Sequence, residues 1–147
     1  MPEIHVRENI IINRKASDIY RFWRNLENLS RFINHLDSVK DLGGGHNRWT
    51  IKTPVGQVSW ESEIVEDKEN EIIEWRSMPD SSVRNSGSLS LLEKEGGNAT
   101  EATVELRYQP PGKHDSFLED EILEVITDKQ MKEDLRNLKR IMESEIP

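Results

Sequence analysis

Between Gln109 and Asp115 the chain changes its hydrophobic period, and that switch limits the possible folds more than any other feature. From Ala99 to Gln109, Ala102, Val104, Leu106 and Tyr108 alternate with Glu101, Thr103, Glu105 and Arg107. A period of two with one polar face marks a strand in an antiparallel sheet covered on one side. Pro110-Pro111-Gly112 ends it. Beyond Asp115, Phe117, Leu118, Ile122, Val125, Ile126, Met131, Leu135, Leu138, Ile141 and Met142 recur at helical spacing. Asp115 or Ser116 can cap this helix, and Glu119, Asp120 and Glu121 suit the positive end of its dipole. The stripe steps sideways around Thr127 to Gln130, which allows one bent helix or two.

The upstream chain supplies the rest of the sheet. Glu3 to Asn13 reads as a strand with Val6, Ile10 and Ile12 on one face and Glu8 interrupting it. Ile19, Tyr20, Phe22, Trp23 and Leu26 then follow helical spacing after Ala16-Ser17-Asp18, and a second short helix is predicted over Leu29 to Leu36. Five further strands are predicted at Ser38–Leu42, Arg48–Thr53, Gln57–Glu66, Glu71–Ser77 and Gly87–Glu93, with Pro79 to Ser86 a polar loop. Gly43-Gly44-Gly45 and Gly96-Gly97-Asn98 supply hairpin turns that need positive φ. Strand, two short helices, six strands and a long helix make one α+β domain over residues 1–147. Its seven-stranded antiparallel sheet must cover its inner face with the terminal helix, the one other element long and apolar enough.

Composition excludes several function classes. The 147 residues carry no cysteine, so no disulfide framework, thiolate metal site or thiol nucleophile exists, in keeping with the reducing cytoplasm where the protein is expected. A net charge of −8 with scattered Lys and Arg argues against nucleic acid and anionic membranes as partners. The basic residues Lys129, Lys132, Arg136, Lys139 and Arg140 interleave with Asp128, Glu133, Asp134 and Glu143, which reads as a solvated helix face. No signal peptide or bilayer-length apolar run is visible, so no stable membrane insertion is expected.

At this point four stretches carry a resemblance: Ala16-Ser17-Asp18-Ile19-Tyr20-Arg21-Phe22-Trp23, Asn25-Leu26-Glu27-Asn28-Leu29-Ser30-Arg31-Phe32, Glu71-Ile72-Ile73-Glu74-Trp75-Arg76-Ser77 and Glu133-Asp134-Leu135-Arg136-Asn137-Leu138-Lys139. The chain resembles the START-like superfamily of helix-grip proteins, and within it the bacterial polyketide cyclase/dehydrase-like branch. The resemblance implies a curved sheet wrapped around the terminal helix. It also implies a cavity between them for a lipid, sterol, quinone, hormone or polyketide, with catalysis in only some members.

Candidate chemistry is sparse. His5, His35, His46 and His114 share no metal-ligand spacing and read as isolated surface histidines; no metal or cofactor is expected. No Gly-x-Ser-x-Gly elbow is present, and the triple glycine precedes neither a helix nor a Lys-Ser/Thr pair. Glu61 and Glu63 should face water, while Glu121 and Glu124 lie nearer the inner side of the terminal helix and read as solvated flank acids.

The aromatic residues are more informative. Trp49, Trp60 and Trp75 fall on three successive strands, in phase with Ile51, Ile64 and Ile73. They either fill the core or line a slot that grips a flat apolar ligand, with Ser62 and Ser77 as hydrogen-bonding points. The expected ligand-binding set adds Leu89, Val104 and Leu106 from the later strands and Leu118, Ile122, Val125 and Ile126 from the helix. The function expected first is binding of a small hydrophobic molecule. The alternatives are a cyclase or dehydratase acting on a polyketide-like substrate, and a protein-interaction module with a filled cavity and a partner unknown.

Overall fold

A computed structural model describes residues 4–53, 56–79, 81, 84–94, 96–109 and 127–144. Strand β1 (Ile4–Ile12) leads into helix α1 (Ala16–Arg24) and a 3₁₀ turn (Leu26–Arg31). Strands β2 (Leu36–Gly43), β3 (His46–Thr53), β4 (Gly56–Lys68), β5 (Ile72–Ser77), β6 (Arg84–Glu93) and β7 (Thr100–Gln109) follow, then helix α2 (Asp128–Ser144). The seven strands form one curved sheet in the order β1-β7-β6-β5-β4-β3-β2, with every neighbouring pair antiparallel. Strand β1 joins the far side of β7 because α1 and the 3₁₀ turn carry the chain across the concave face to the opposite edge.

Two expectations need correction, and a third falls partly outside the described residues. The second short helix is not at Leu29–Leu36: a 3₁₀ turn spans Leu26–Arg31, and Leu36 already opens β2. Phe32 and Leu36 are buried as their apolar character demanded, but loop and strand geometry buries them, not a helix face. The polar loop Pro79–Ser86 also ends early. Arg84, Asn85 and Ser86 pair with Gln109, Tyr108 and Arg107, since ladder hydrogen bonds come from the backbone and tolerate polar side chains. The helix expected from Asp115 is described from Asp128 onward, and its earlier part, including Asp115, Ser116, Glu121 and Glu124, lies outside the described residues.

The sideways step in the apolar stripe coincides with a helix start. Thr127 Oγ1 accepts the backbone N–H of Gln130 at 3.0 Å, satisfying one of the unpaired donors at the N-terminus of α2. From there Met131, Leu135, Leu138 and Met142 are buried at helical spacing. Polar bonds then lock α2 in place at two levels. Near its C-terminus, Lys139 Nζ donates to the Ile11 carbonyl (2.7 Å) and Glu143 accepts the Asn13 N–H (2.8 Å). In its middle, Asn137 Nδ2 donates to the Phe32 carbonyl (3.2 Å) and Asp134 Oδ1 accepts the Asn34 N–H (3.3 Å). The contacts with β1 also cover an edge strand that would otherwise offer free backbone groups to another chain.

The convex face is laced with exposed pairs such as Arg76–Glu63 (3.1 Å) and Arg48–Glu61 (3.4 Å), which contribute little stability and mainly keep this face wet. The Gly43-Gly44-Gly45 hairpin has φ of +89°, +62° and +80°, the left-handed geometry glycine was expected to supply. Among the described residues no helix is long and apolar enough to cross a membrane.

Candidate functional site

Two small residues on the sheet set up the site. On β4, Ser62 separates Trp60 from Ile64 along the inner face, while Trp60 pairs with Trp49 on β3 and Ile64 with Trp75 on β5. The Ser62 side chain is too short to fill the space above β4. Trp49 leans over it, donates its indole N–H to Ser62 Oγ (2.5 Å), and stacks against Trp75 with ring centroids 5.8 Å apart. One strand further on, Gly87 of β6 pairs with Trp75 on one side and Leu106 on the other. A Cβ at Gly87 would lie 2.5 Å from Trp75 Cζ2, so the absence of a side chain is what lets this indole lie flat.

The result is a row of rings. Trp60 and Trp49 are parallel within 4° at 6.4 Å, Trp49 and Trp75 follow at 25°, and Trp75 meets Trp23 of α1 at 6.3 Å. Trp23 continues the row to Phe32 at 5.4 Å. These are the offset and tilted geometries that aromatic pairs prefer. The row forms one wall of a cavity of about 130 Å³ between the sheet, the 3₁₀ turn and α2. That is roughly ten times the space one water needs, so the side chains of the described residues do not fill it. All four tryptophans of the chain line this cavity. Ile51, Leu36, Val104 and Leu106 add wall from the sheet, and Leu29, Ile33, Met131 and Leu135 close the helical side.

Of the residues singled out from sequence, Trp49, Ile51, Trp60, Trp75, Val104 and Leu106 therefore meet at one space. Ile73 and Leu89 are fully buried in the core, and Ile64 packs against it; none of the three lines the cavity. Ser62 is also fully buried, and its hydroxyl positions Trp49 from behind the wall without reaching the lumen. Ser77 accepts the Asn85 N–H at 3.1 Å on the sheet. Leu118, Ile122, Val125 and Ile126 lie outside the described residues.

Sequence reasoning missed the polar end of the cavity. Asp134 was assigned to a solvated helix face, yet it is 7% exposed and lines the cavity. The signal was available: Asp134 lies three residues after Met131 and four before Leu138, inside the apolar stripe. Its Oδ1 accepts from Gln130 Nε2 (2.9 Å) as well as from Asn34 N–H. Burial pushes its carboxyl pKa above the usual carboxylate range, against the lowering effect of those two hydrogen bonds and of nearby His35. His35 also departs from its expected surface role. It is half-buried on the cavity wall, with Nε2 3.1 Å from Gln130 Oε1, whereas His5 pairs with Glu105 and His46 lies near Glu63 on the convex face. His114 lies outside the described residues. Two indole N–H groups on the wall, Trp23 Nε1 and Trp60 Nε1, are buried with no partner among the described residues. The described residues contain no cluster of three metal-ligating side chains.

With this geometry in hand, the chain can be compared with known proteins. Protein DR_A0006 of Deinococcus radiodurans has the same fold, with a TM-score of 0.79, 33% identity and coverage of 95% of this chain and 97% of that one. The Zhui aromatase/cyclase of a Streptomyces species matches at a TM-score of 0.76 and 14% identity over 97% and 94% of the two chains. A START superfamily protein of Mycobacterium smegmatis matches at 0.66 and 13% identity over 95% and 94%. A search of the curated proteins gives no match. The family described as polyketide cyclase / dehydrase and lipid transport matches residues 12–136, and the chain belongs to that family.

Proposed function

We propose that the protein binds a small, flat, hydrophobic molecule in the cavity between the sheet and α2. The supporting observation is the convergence of all four tryptophans on one open space, three of them stacked in a row. A core needs large side chains, but it does not need a void of about 130 Å³ beside them. Indole faces offer a planar ligand dispersion and stacking at little entropic cost, because the rings are already fixed against one another. Family membership agrees with a hydrophobic ligand or a cyclase role. Native mass spectrometry of the purified protein tests the proposal. A co-purifying apolar molecule, or saturable quenching of tryptophan fluorescence by an added apolar dye, supports it; a protein that carries none and quenches with none contradicts it.

Asp134 favours a second reading, a cyclase or dehydratase. A carboxyl whose pKa is raised by burial at the cavity wall is the kind of group that holds a proton for transfer to a bound substrate. In that case the tryptophan wall folds and orients a polyketide-like chain while Asp134 exchanges the proton. Product formation from a model β-hydroxy-ketone, lost in Asp134→Asn, supports catalysis. Tight binding without turnover returns the protein to the carrier role.

A further inference from the structure

The cavity is apolar along most of its wall, so its few polar atoms define what a ligand must present. Two residues more than nine-tenths buried stand out. Asp134, 7% exposed, uses Oδ1 for Gln130 and Asn34, while its Oδ2 makes no hydrogen bond among the described residues. Trp23, 2% exposed, has a buried Nε1–H with no partner among those residues. The Trp23 N–H is an unpartnered buried polar group, rare in folded proteins and destabilising, and Asp134 adds a free acceptor oxygen on the same cavity wall; together they point to a partner that arrives with the ligand.

Both residues line the cavity, and a chain of contacts links them. Trp23 packs on Phe32, whose carbonyl is held by Asn137 of α2. Two residues further along that segment, Asn34 donates to Asp134, which lies one turn before Asn137 on the same helix. The segment from Phe32 to Asn34 therefore touches both the residue that carries the donor and the one that carries the acceptor. Gln130 bridges Asp134 to His35 and holds the carboxyl in place. An aliphatic chain satisfies neither group, so a wall of indoles alone does not describe the ligand.

Resting on the apolar-ligand reading above, we infer that Asp134 and Trp23 form a two-point selector for a flat apolar molecule bearing both a hydroxyl and a carbonyl. The hydroxyl donates to Asp134 Oδ2, and the carbonyl accepts from Trp23 Nε1–H. The pair sets ligand choice, while the stacked tryptophans supply most of the affinity. Discrimination comes chiefly from what a wrong ligand leaves unpaired: its entry would strip water from Asp134 Oδ2 and leave the Trp23 N–H still without a partner.

The test uses four probes of matched shape: ethylnaphthalene, ethylnaphthol, acetylnaphthalene and acetylnaphthol, each titrated by tryptophan quenching at a pH where the phenol is un-ionised. Each polar group is expected to tighten binding by about 3- to 10-fold, so acetylnaphthol binds tightest and ethylnaphthalene weakest. Asp134→Leu should erase the advantage of the hydroxyl and keep that of the carbonyl, and Trp23→Phe should do the reverse. Four equal affinities in the unaltered protein overturn the selector and leave the apolar cavity standing, with no variant needed. Failure of all four to bind overturns the apolar-ligand reading itself. Loss of both increments in either single variant, with folding intact by circular dichroism, also overturns the two-point assignment.

Discussion

Replacing Gly87 by Ala adds one methyl group at the most crowded point of the sheet's inner face. The new Cβ would lie 2.5 Å from Trp75 Cζ2 and 2.7 Å from both Trp75 Cε2 and Leu106 Cδ2, where ordinary contact starts at 3.4 Å. The indole must then move by 3.4 − 2.5 = 0.9 Å, and it is held by Trp49 at 5.8 Å and Trp23 at 6.3 Å. Gly87 lies outside the positive-φ region, so the cost is steric and not a matter of backbone strain. Overpacking of this kind costs about 1–3 kcal/mol. In a chain of this length that lowers the melting temperature by roughly 2–4 °C per kcal/mol. The way out for the ring is toward the cavity, so dye binding should weaken as well. Urea unfolding followed by tryptophan emission measures the first effect, and a dye titration of the same variant measures the second. A stability change below about 0.5 kcal/mol with unaltered dye binding would refute the claim that Trp75 lies flat over Gly87.

Trp75→Ala should cost about 3–5 kcal/mol in urea unfolding and also weaken dye binding, because the ring is both core and cavity wall. Trp49→Phe leaves the fully buried Ser62 hydroxyl without its donor, an expected loss of about 1–3 kcal/mol. Adding Ser62→Ala should recover part of that loss, and strict additivity in the double-mutant cycle would count against the hydrogen bond. Asp134→Asn should stabilise the ligand-free protein at neutral pH, since Asn keeps the acceptor oxygen without a buried charge. Because the folded-state pKa of Asp134 is raised above 3.8, the penalty of the ionised form is complete above the folded value and fades as pH falls toward 3.8. The stability gap between the two proteins should therefore narrow on acidification, and a gap that widens would contradict the assignment.

The sheet was legible from sequence because one face is wet: β7 alternates Ala102, Val104, Leu106 and Tyr108 with polar residues, whereas its pairing and register with β1 and β6 are seen only in the folded chain. Strand ends were less legible, since Arg84 to Ser86 join the ladder through backbone groups that leave no mark on side-chain pattern. Trp49, Trp60 and Trp75 were found by their shared phase, whereas Trp23 was read as an ordinary helix residue. Only the folded chain shows that α1 brings it against Trp75. Asp134 was misread because charged residues surround it in sequence. On a helix, however, the face is decided three and four residues away, by Met131 and Leu138. The role of Ser62 and Gly87 as low points beneath two indoles depends on cross-strand packing, which no single-strand pattern encodes.

The central claim is that one apolar molecule sits against all four tryptophans. Isotope-labelled protein gives one indole N–H resonance for each of Trp23, Trp49, Trp60 and Trp75, and these can be followed while an apolar ligand such as acetylnaphthol is added. The account predicts that all four resonances move together and saturate at one equivalent, with that of Trp23 shifting in the direction of a new contact to its N–H, which has no partner among the described residues. Saturable binding that leaves the four indole resonances in place would put the ligand elsewhere on the protein and contradict the account.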